Sequence, residues 1–386
     1  MRALTVSTLA AGVLACFVGF ASSFAVIVQG LTAVGASPAQ AASGLMALSV
    51  AMGAGGVWLS LRTRMPISIA WSTPGGALLA TSGAVIGGFP AAVGAFLATG
   101  LLIVFAGLWK PLGRWVAAIP APLASAMLAG VLLDLCLAPA RAVAEKPVLG
   151  LAIVIAWAVV ARINRLFAVP AAVLVAFVLI GATTDLSALH AADLWPHPVL
   201  VMPVFSLSAL IGIALPLFIV TMASQNIPGM AVLHANGYHP SPSPLFRDTG
   251  LLTLISAPFG AHAINLAAIT AAICAGPDSH PDPARRWPAA VVAGIGYILF
   301  GLLAGAATAF MAAAPPILIE SVAGLALLGA FGGALMGAVA EPAHREAAIV
   351  TFLVAGSGLN FMGIGGAFWG LLAGGALYLL GRWRAA

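Results

Sequence analysis

Charge is what this chain has least of. Only 6% of its 386 residues are charged, 15 basic and 10 acidic, where a soluble globular domain carries roughly a quarter. So few ionic groups cannot cover the water-facing shell of a soluble enzyme of this length. Cysteine is scarce too: Cys16, Cys136 and Cys274 have no paired spacing, which excludes a disulfide framework and a cysteine-based metal site. No G-x-S-x-G, H-E-x-x-H, P-loop or complete dinucleotide fingerprint is present, so the common hydrolase, metalloprotease and nucleotide-binding chemistries have no foothold. What is abundant is apolar. Hydrophobic residues make up 62% of the chain and its mean hydropathy is +1.13, which excludes disorder and predicts an integral membrane protein.

The net charge of +5 does not point to nucleic acid, because the basic residues occur singly or in pairs between apolar runs. Those runs fall near 7–34, 39–61, 66–88, 90–109, 115–136, 147–162, 167–184, 205–236, 244–256, 258–275, 287–312, 316–340, 346–358 and 361–381. That is about 14 transmembrane segments, given that a spanning helix needs roughly 20 apolar residues. The first run is too long for the apolar part of a signal peptide and is expected to remain in the membrane. With a cytoplasmic N-terminus, Arg2, Arg62, Arg64, Lys110, Arg114, Arg162, Arg165, Arg247, Arg285, Arg286, Arg345, Arg382 and Arg384 all fall inside. Only Arg141 and Lys146 fall outside, and the loop from Asp185 to Pro198, with His190, Asp193 and His197 but no Lys or Arg, suits the outer face. This is the positive-inside bias of a correct span count, and it puts both termini in the cytoplasm.

The two halves echo each other. Gly35 and Pro38 in the run from Ala33 match Gly237 and Pro240 in the run from Ala235, a separation of 240 − 38 = 202. Further on, the run from Pro66 to Thr73 matches that from Pro258 to Asn265 at 265 − 73 = 192. Seven segments per half, an odd number, turn the second half upside down. Inverted repeats of this kind predict a transporter with its site near the midplane where the repeats meet.

The third and tenth segments each open with a proline and a short extended stretch before a run too short to cross a bilayer. Both read as broken spans, in which a short strand leads into a half-helix. Thr73 before Pro74 is an expected N-cap, and Asn265 is the expected counterpart. The free amides of Gly75, Gly76 and Leu266 at facing half-helix ends then form an anion site without an arginine. Two proline-kinked helices in a packed bundle are the alternative. Ser22 and Ser23 in the first span fall opposite Ser224, Gln225 and Asn226 in the eighth. Serines often join membrane helices, whereas buried Gln225 and Asn226 are costlier and are expected to touch substrate or the half-helix ends. His262, three residues before Asn265, is the expected proton-exchanging group beside them, with Glu320 in the twelfth span as the fallback. A structural histidine is the other reading. Asp278, His280 and Asp282 in the proline-rich stretch 276–286 read as a stiff connector, and no metal or cofactor is expected.

The runs Ser224-Gln-Asn-Ile-Pro-Gly-Met230, Ala257-Pro-Phe-Gly-Ala-His-Ala-Ile-Asn-Leu-Ala-Ala-Ile-Thr270 and Pro281-Asp-Pro-Ala-Arg285 resemble the bacterial benzoate:proton symporter family, and the resemblance runs nearly end to end. It implies the fold of the uracil and sulfate transporters: all-α, with two inverted repeats of seven spans. A core domain would comprise 1–112 of the first repeat with 201–313 of the second, and a gate domain 113–200 of the first with 314–386 of the second, often in a homodimer in the bacterial inner membrane. Proton-coupled uracil-type relatives place glutamates where this chain has His262 and Gln225. Losing both weakens the case for a nucleobase and favours an anion. The resemblance therefore implies uptake of benzoate or a similar aromatic carboxylate with protons, its carboxylate near Ser72, Thr73 and the half-helix ends, its ring against Phe24, Ile264 or Phe218. A carrier of another small anion or nucleobase on the same fold, and an uncoupled anion channel, are the alternatives.

Overall fold

The structure, a computed structural model, describes residues 5–109, 120–184, 195–361 and 364–385. Arg2, Lys110, Arg114, Asp185, His190 and Asp193, which enter the charge and loop readings above, lie outside these residues. Among the described residues, seven helices are long and apolar enough to cross a membrane, or eight if Pro283–Gly301 and Ala304–Ala313, bent by 53° at their junction, form one span. The remaining segments are shorter helices and two interrupted spans, so the order of elements follows the plan expected from the apolar runs. Large apolar side chains such as Val148, Leu174, Met202 and Met336 are exposed on the outside of the bundle, as a chain dissolved in lipid requires.

Both interrupted spans contain a short strand. Strand β1, Ile69–Trp71, precedes helix Thr73–Ser82; strand β2, Ile264–Leu266, precedes helix Ile269–Ala275. The strands pair antiparallel, Ile69 with Leu266, Ala70 with Asn265 and Trp71 with Ile264. Pairing answers the physical problem of extended backbone at membrane depth, where no water is present to take its N–H and C=O groups. The ladder continues on either side, with Ser72 N donating to Ala263 O at 3.0 Å and Ala267 N to Ser68 O at 3.0 Å.

The repeat is visible in backbone detail. The first span breaks at Ser22 and Ser23, between helices Val6–Ala21 and Phe24–Ala33, and the matched stretch of the eighth, Met222–Asn226, is a π-helical turn. Gly35 and Gly237, 237 − 35 = 202 apart, both take positive φ, +101° and +83°, a conformation open to glycine at no steric cost.

Helix packing sorts into two groups. In one, Pro38–Thr63 and Val6–Ala21 pack on Trp287–Gly301, Gly88–Leu108 packs on Pro242–Ser256, and Phe24–Ala33 packs on Thr73–Ser82. In the other, Ala121–Glu145 packs on Pro316–Val339 and Arg345–Gly356, and Arg345–Gly356 packs on Gly366–Ala385. Small residues set the closest approaches. A Cβ on Gly30 would collide with Gly76 O, and one on Gly229 would lie 2.7 Å from Leu266 Cβ, so each half-helix segment is pressed against its neighbouring span as small-residue helix contacts in membranes allow. The fifth span runs past the expected end at 136 to Glu145, and Arg141 on this extension pairs back with Asp134 inside the expected span at 2.6 Å.

Candidate functional site

The two strands cross in a nest of side-chain hydrogen bonds that draws on four spans. From the first span, Ser23 Oγ accepts the Trp71 Nε1–H at 2.8 Å and donates to Gly19 O at 3.1 Å. From the eighth, Thr221 donates its hydroxyl to Ser72 Oγ at 2.9 Å, and Asn226 Oδ1 accepts the Leu266 N–H at 2.9 Å. Ser68 and Thr270 share a hydroxyl contact of 2.8 Å between the third and tenth. Ser72, Thr221, Asn226, His262 and Asn265 are fully buried. Each bond satisfies a group that would cost about 1–3 kcal/mol if left orphaned in a dry interior.

Two expected caps are corrected. Ser72, not Thr73, caps the first half-helix: its Oγ accepts the Gly75 N–H at 3.1 Å, while Thr73 occupies the first helical position. Asn265 caps nothing. It lies within β2 and donates from Nδ2 to Leu266 O at 2.8 Å. The helix begins at Ile269, so helix starts differ by 269 − 73 = 196, and the residue equivalent to Ser72 is Ala268, which has no side-chain acceptor to offer. The register of 192 had placed Asn265 four residues early. The amides expected to be free are also engaged: Gly75 N bonds Ser72 Oγ, Gly76 N bonds Ser72 O at 2.8 Å, and Leu266 N bonds Asn226. The anion seat imagined from these three amides is therefore filled by the protein's own oxygens.

The groups left without partners are different ones. Among the described residues, neither ring nitrogen of His262 has a hydrogen-bond partner, and the ring stands edge-on to Phe96 with centroids 6.3 Å apart. Asn265 Oδ1 is buried and has no partner among them either. Gln225, on the same π-helical turn as Asn226, is only partly buried. The π-helical turn sets Ser224, Gln225 and Asn226 on a widened stretch of backbone, a feature frequent at functional sites. Ser22 is half-buried, and its hydroxyl donates to Gly19 O at 3.4 Å. Phe24 belongs to an aromatic stack, 5.5 Å from Phe20, which in turn lies 5.5 Å from Trp71 and 4.8 Å from Phe300. Ile264 and Phe218 are buried in the core. Glu320 is elsewhere: it lines a separate cavity with Gln29 and Ala80.

Thr221, Ser68 and Thr270 were not among the expected site residues. Thr221 directly precedes the π-helical turn that carries Gln225 and Asn226, and nothing in the sequence marks it out from other threonines in apolar helices. In the connector 276–286, Arg286 donates to the carbonyls of Ala275, His280 and Pro281, tying the end of helix Ile269–Ala275 to the loop.

Interrupted spans whose extended segments pair at the heart of an inverted repeat define a membrane transporter and not an enzyme. The solved structures agree on the fold. The transmembrane domain of a cyanobacterium bicarbonate transporter, BicA, superposes with TM-score 0.64 over 97% of both chains at 16% identity. The murine Slc26a9 anion transporter in the inward-facing state gives 0.66 over 98% of this chain and 68% of its own at 12% identity. The chain belongs to the benzoate membrane transport protein family, whose profile matches residues 2–380. It is 44% identical to the inner membrane protein YdcO of Escherichia coli K12, over 97% of this chain and 95% of that protein. It is 29% identical, with the same coverage, to the benzoate membrane transport protein of Acinetobacter baylyi.

Proposed function

We propose that this protein imports benzoate or a close aromatic carboxylate together with protons, binding it where β1 and β2 cross. The observation that carries the reading is the chemistry left over at the crossing. The unsatisfied groups there are an imidazole and a neutral amide oxygen, and no carboxylate stands among the residues that meet. A carboxylate arriving beside His262 gives an imidazolium its partner, and each charge stabilises the other in a low-dielectric site. Gln225 and Thr73, at the edge of the nest, offer the carboxylate further donors, and apolar neighbours such as Ile264 suit the ring. His262 carries the coupled proton in this reading, with Glu320 as the alternative. The relative named for benzoate transport supports the substrate class.

The two packing groups serve as core, 1–112 with 201–313, and gate, 113–200 with 314–386, and sliding or rocking of one against the other alternates access. The bacterial inner membrane, with both termini cytoplasmic, accords with the distribution of Arg and Lys and with the location in the name of YdcO. A homodimer is the expected assembly. Scintillation-proximity binding of labelled benzoate to the purified protein tests the substrate: saturable binding displaced by benzoate but not by uracil, sulfate or bicarbonate is expected, and displacement by one of those three instead would reassign the cargo.

A further inference from the structure

A cavity of about 480 Å³ lies at the ends of the first, second, eleventh and twelfth spans that the charge distribution places outside. It is separate from the strand crossing; of the third span it touches only Ala80, near the far end of helix Thr73–Ser82. It straddles the two packing groups, with Val28 and Met311 on one side and Ile319 and Glu320 on the other. The walls are mainly apolar, and the Thr308 hydroxyl is already spent on Ala304 O and Gly305 O.

Three polar groups in it have unmet capacity among the described residues, the exposed Thr32 hydroxyl at its rim and two that decide what it can hold. Gln29 Oε1 is buried with no hydrogen-bond partner among the described residues. The Glu320 carboxyl group makes no hydrogen bond or ion pair with any described residue. A buried amide oxygen left without a donor is destabilising, so the chamber favours a guest that brings one. A free carboxylate brings none and meets Glu320 besides. A neutral aromatic acid, or an aromatic amide of the same shape, brings a donor, an acceptor and an apolar ring.

We propose that this outer chamber is a second ligand site that takes neutral aromatic hydrogen-bond donors, the protonated acid among them, through Gln29, and that Glu320 keeps the anion out. The identity of the physiological guest rests on the aromatic-acid reading above; the chamber's selectivity does not. The probe is 4-fluorobenzamide, which cannot ionise, followed by fluorine NMR line broadening on the purified full-length chain at neutral pH. Saturable binding to the wild type is expected, weakened at least tenfold in Gln29→Leu. Excess benzoate should leave the probe in place on the wild type and displace it from Glu320→Gln, an isosteric change that removes the charge and turns one acceptor oxygen into an amide donor. Absence of saturable probe binding to the wild type overturns the proposal, as does equal displacement by benzoate from wild type and Glu320→Gln. Labelled-benzoate binding to the wild type, measured in parallel, reports separately on the aromatic-acid reading.

Discussion

Asn226 on the eighth span accepts the backbone N–H of Leu266 on the tenth, Oδ1 to N 2.9 Å, so a side chain of one interrupted region closes the strand of another. Replacing Asn226 by leucine strands that N–H in a dry interior at a cost of about 1–3 kcal/mol. A lower melting temperature in detergent, with at least a tenfold loss of benzoate binding, is expected. Asn226→Asp keeps the acceptor but buries a negative charge and loses the amide donor to Met222 Sδ, so it should be no more stable than leucine and bind benzoate no better. Leucine with wild-type stability would mean that the bond contributes nothing.

Ser72 carries the cap, and Thr73 does not. Ser72→Ala removes the acceptor of both Gly75 N–H and the Thr221 hydroxyl and should cost about 1 kcal/mol or more, the usual scale for a lost cap. Thr73→Ala should cost much less in thermal unfolding. The reverse order would restore the cap to Thr73.

The break in the third and tenth spans was legible in the sequence because proline followed by a short apolar run leaves too little helix to span a bilayer. Where the second half-helix starts was not. Three-residue strands have almost no propensity signal, and Asn265, a good capping residue by type, drew the reading toward itself, while the true equivalent of Ser72 is an alanine with nothing to advertise it. Asn226 was legible as a buried amide seeking a partner. Thr221 and Thr270 were not, since a threonine in an apolar helix usually bonds its own backbone, and only the fold shows that these two reach across to Ser72 and Ser68. The positions of Gly30 and Gly229 became meaningful only when the segments they admit were in place.

Gln225 is the expected divider between binding and folding. It is only partly buried on the π-helical turn, so Gln225→Ala should leave the melting temperature within a degree or two and weaken benzoate binding about tenfold, the worth of roughly 1.4 kcal/mol. Wild-type affinity in that variant would make Gln225 a packing residue.

Trp71 donates to Ser23 at 2.8 Å within the aromatic stack of Phe20 and Phe300. Trp71→Phe keeps the ring packing and orphans nothing on tryptophan, while Ser23 retains Gly19 O. A modest loss of stability is expected, smaller than in Ser23→Val, which leaves the buried indole N–H without an acceptor. Paired thermal unfolding curves check the order.

The most direct test is accumulation of labelled benzoate in proteoliposomes under an inward proton gradient, with protein-free liposomes subtracted because the neutral acid crosses lipid unaided. The wild type should accumulate benzoate saturably and lose accumulation when the gradient is collapsed. His262→Gln should bind benzoate more weakly, since the imidazolium partner is gone, and no longer respond to the gradient. Gradient-driven accumulation by His262→Gln at the wild-type rate would contradict the role given to the histidine, and no accumulation by the wild type beyond bare liposomes would contradict proton-coupled benzoate import itself.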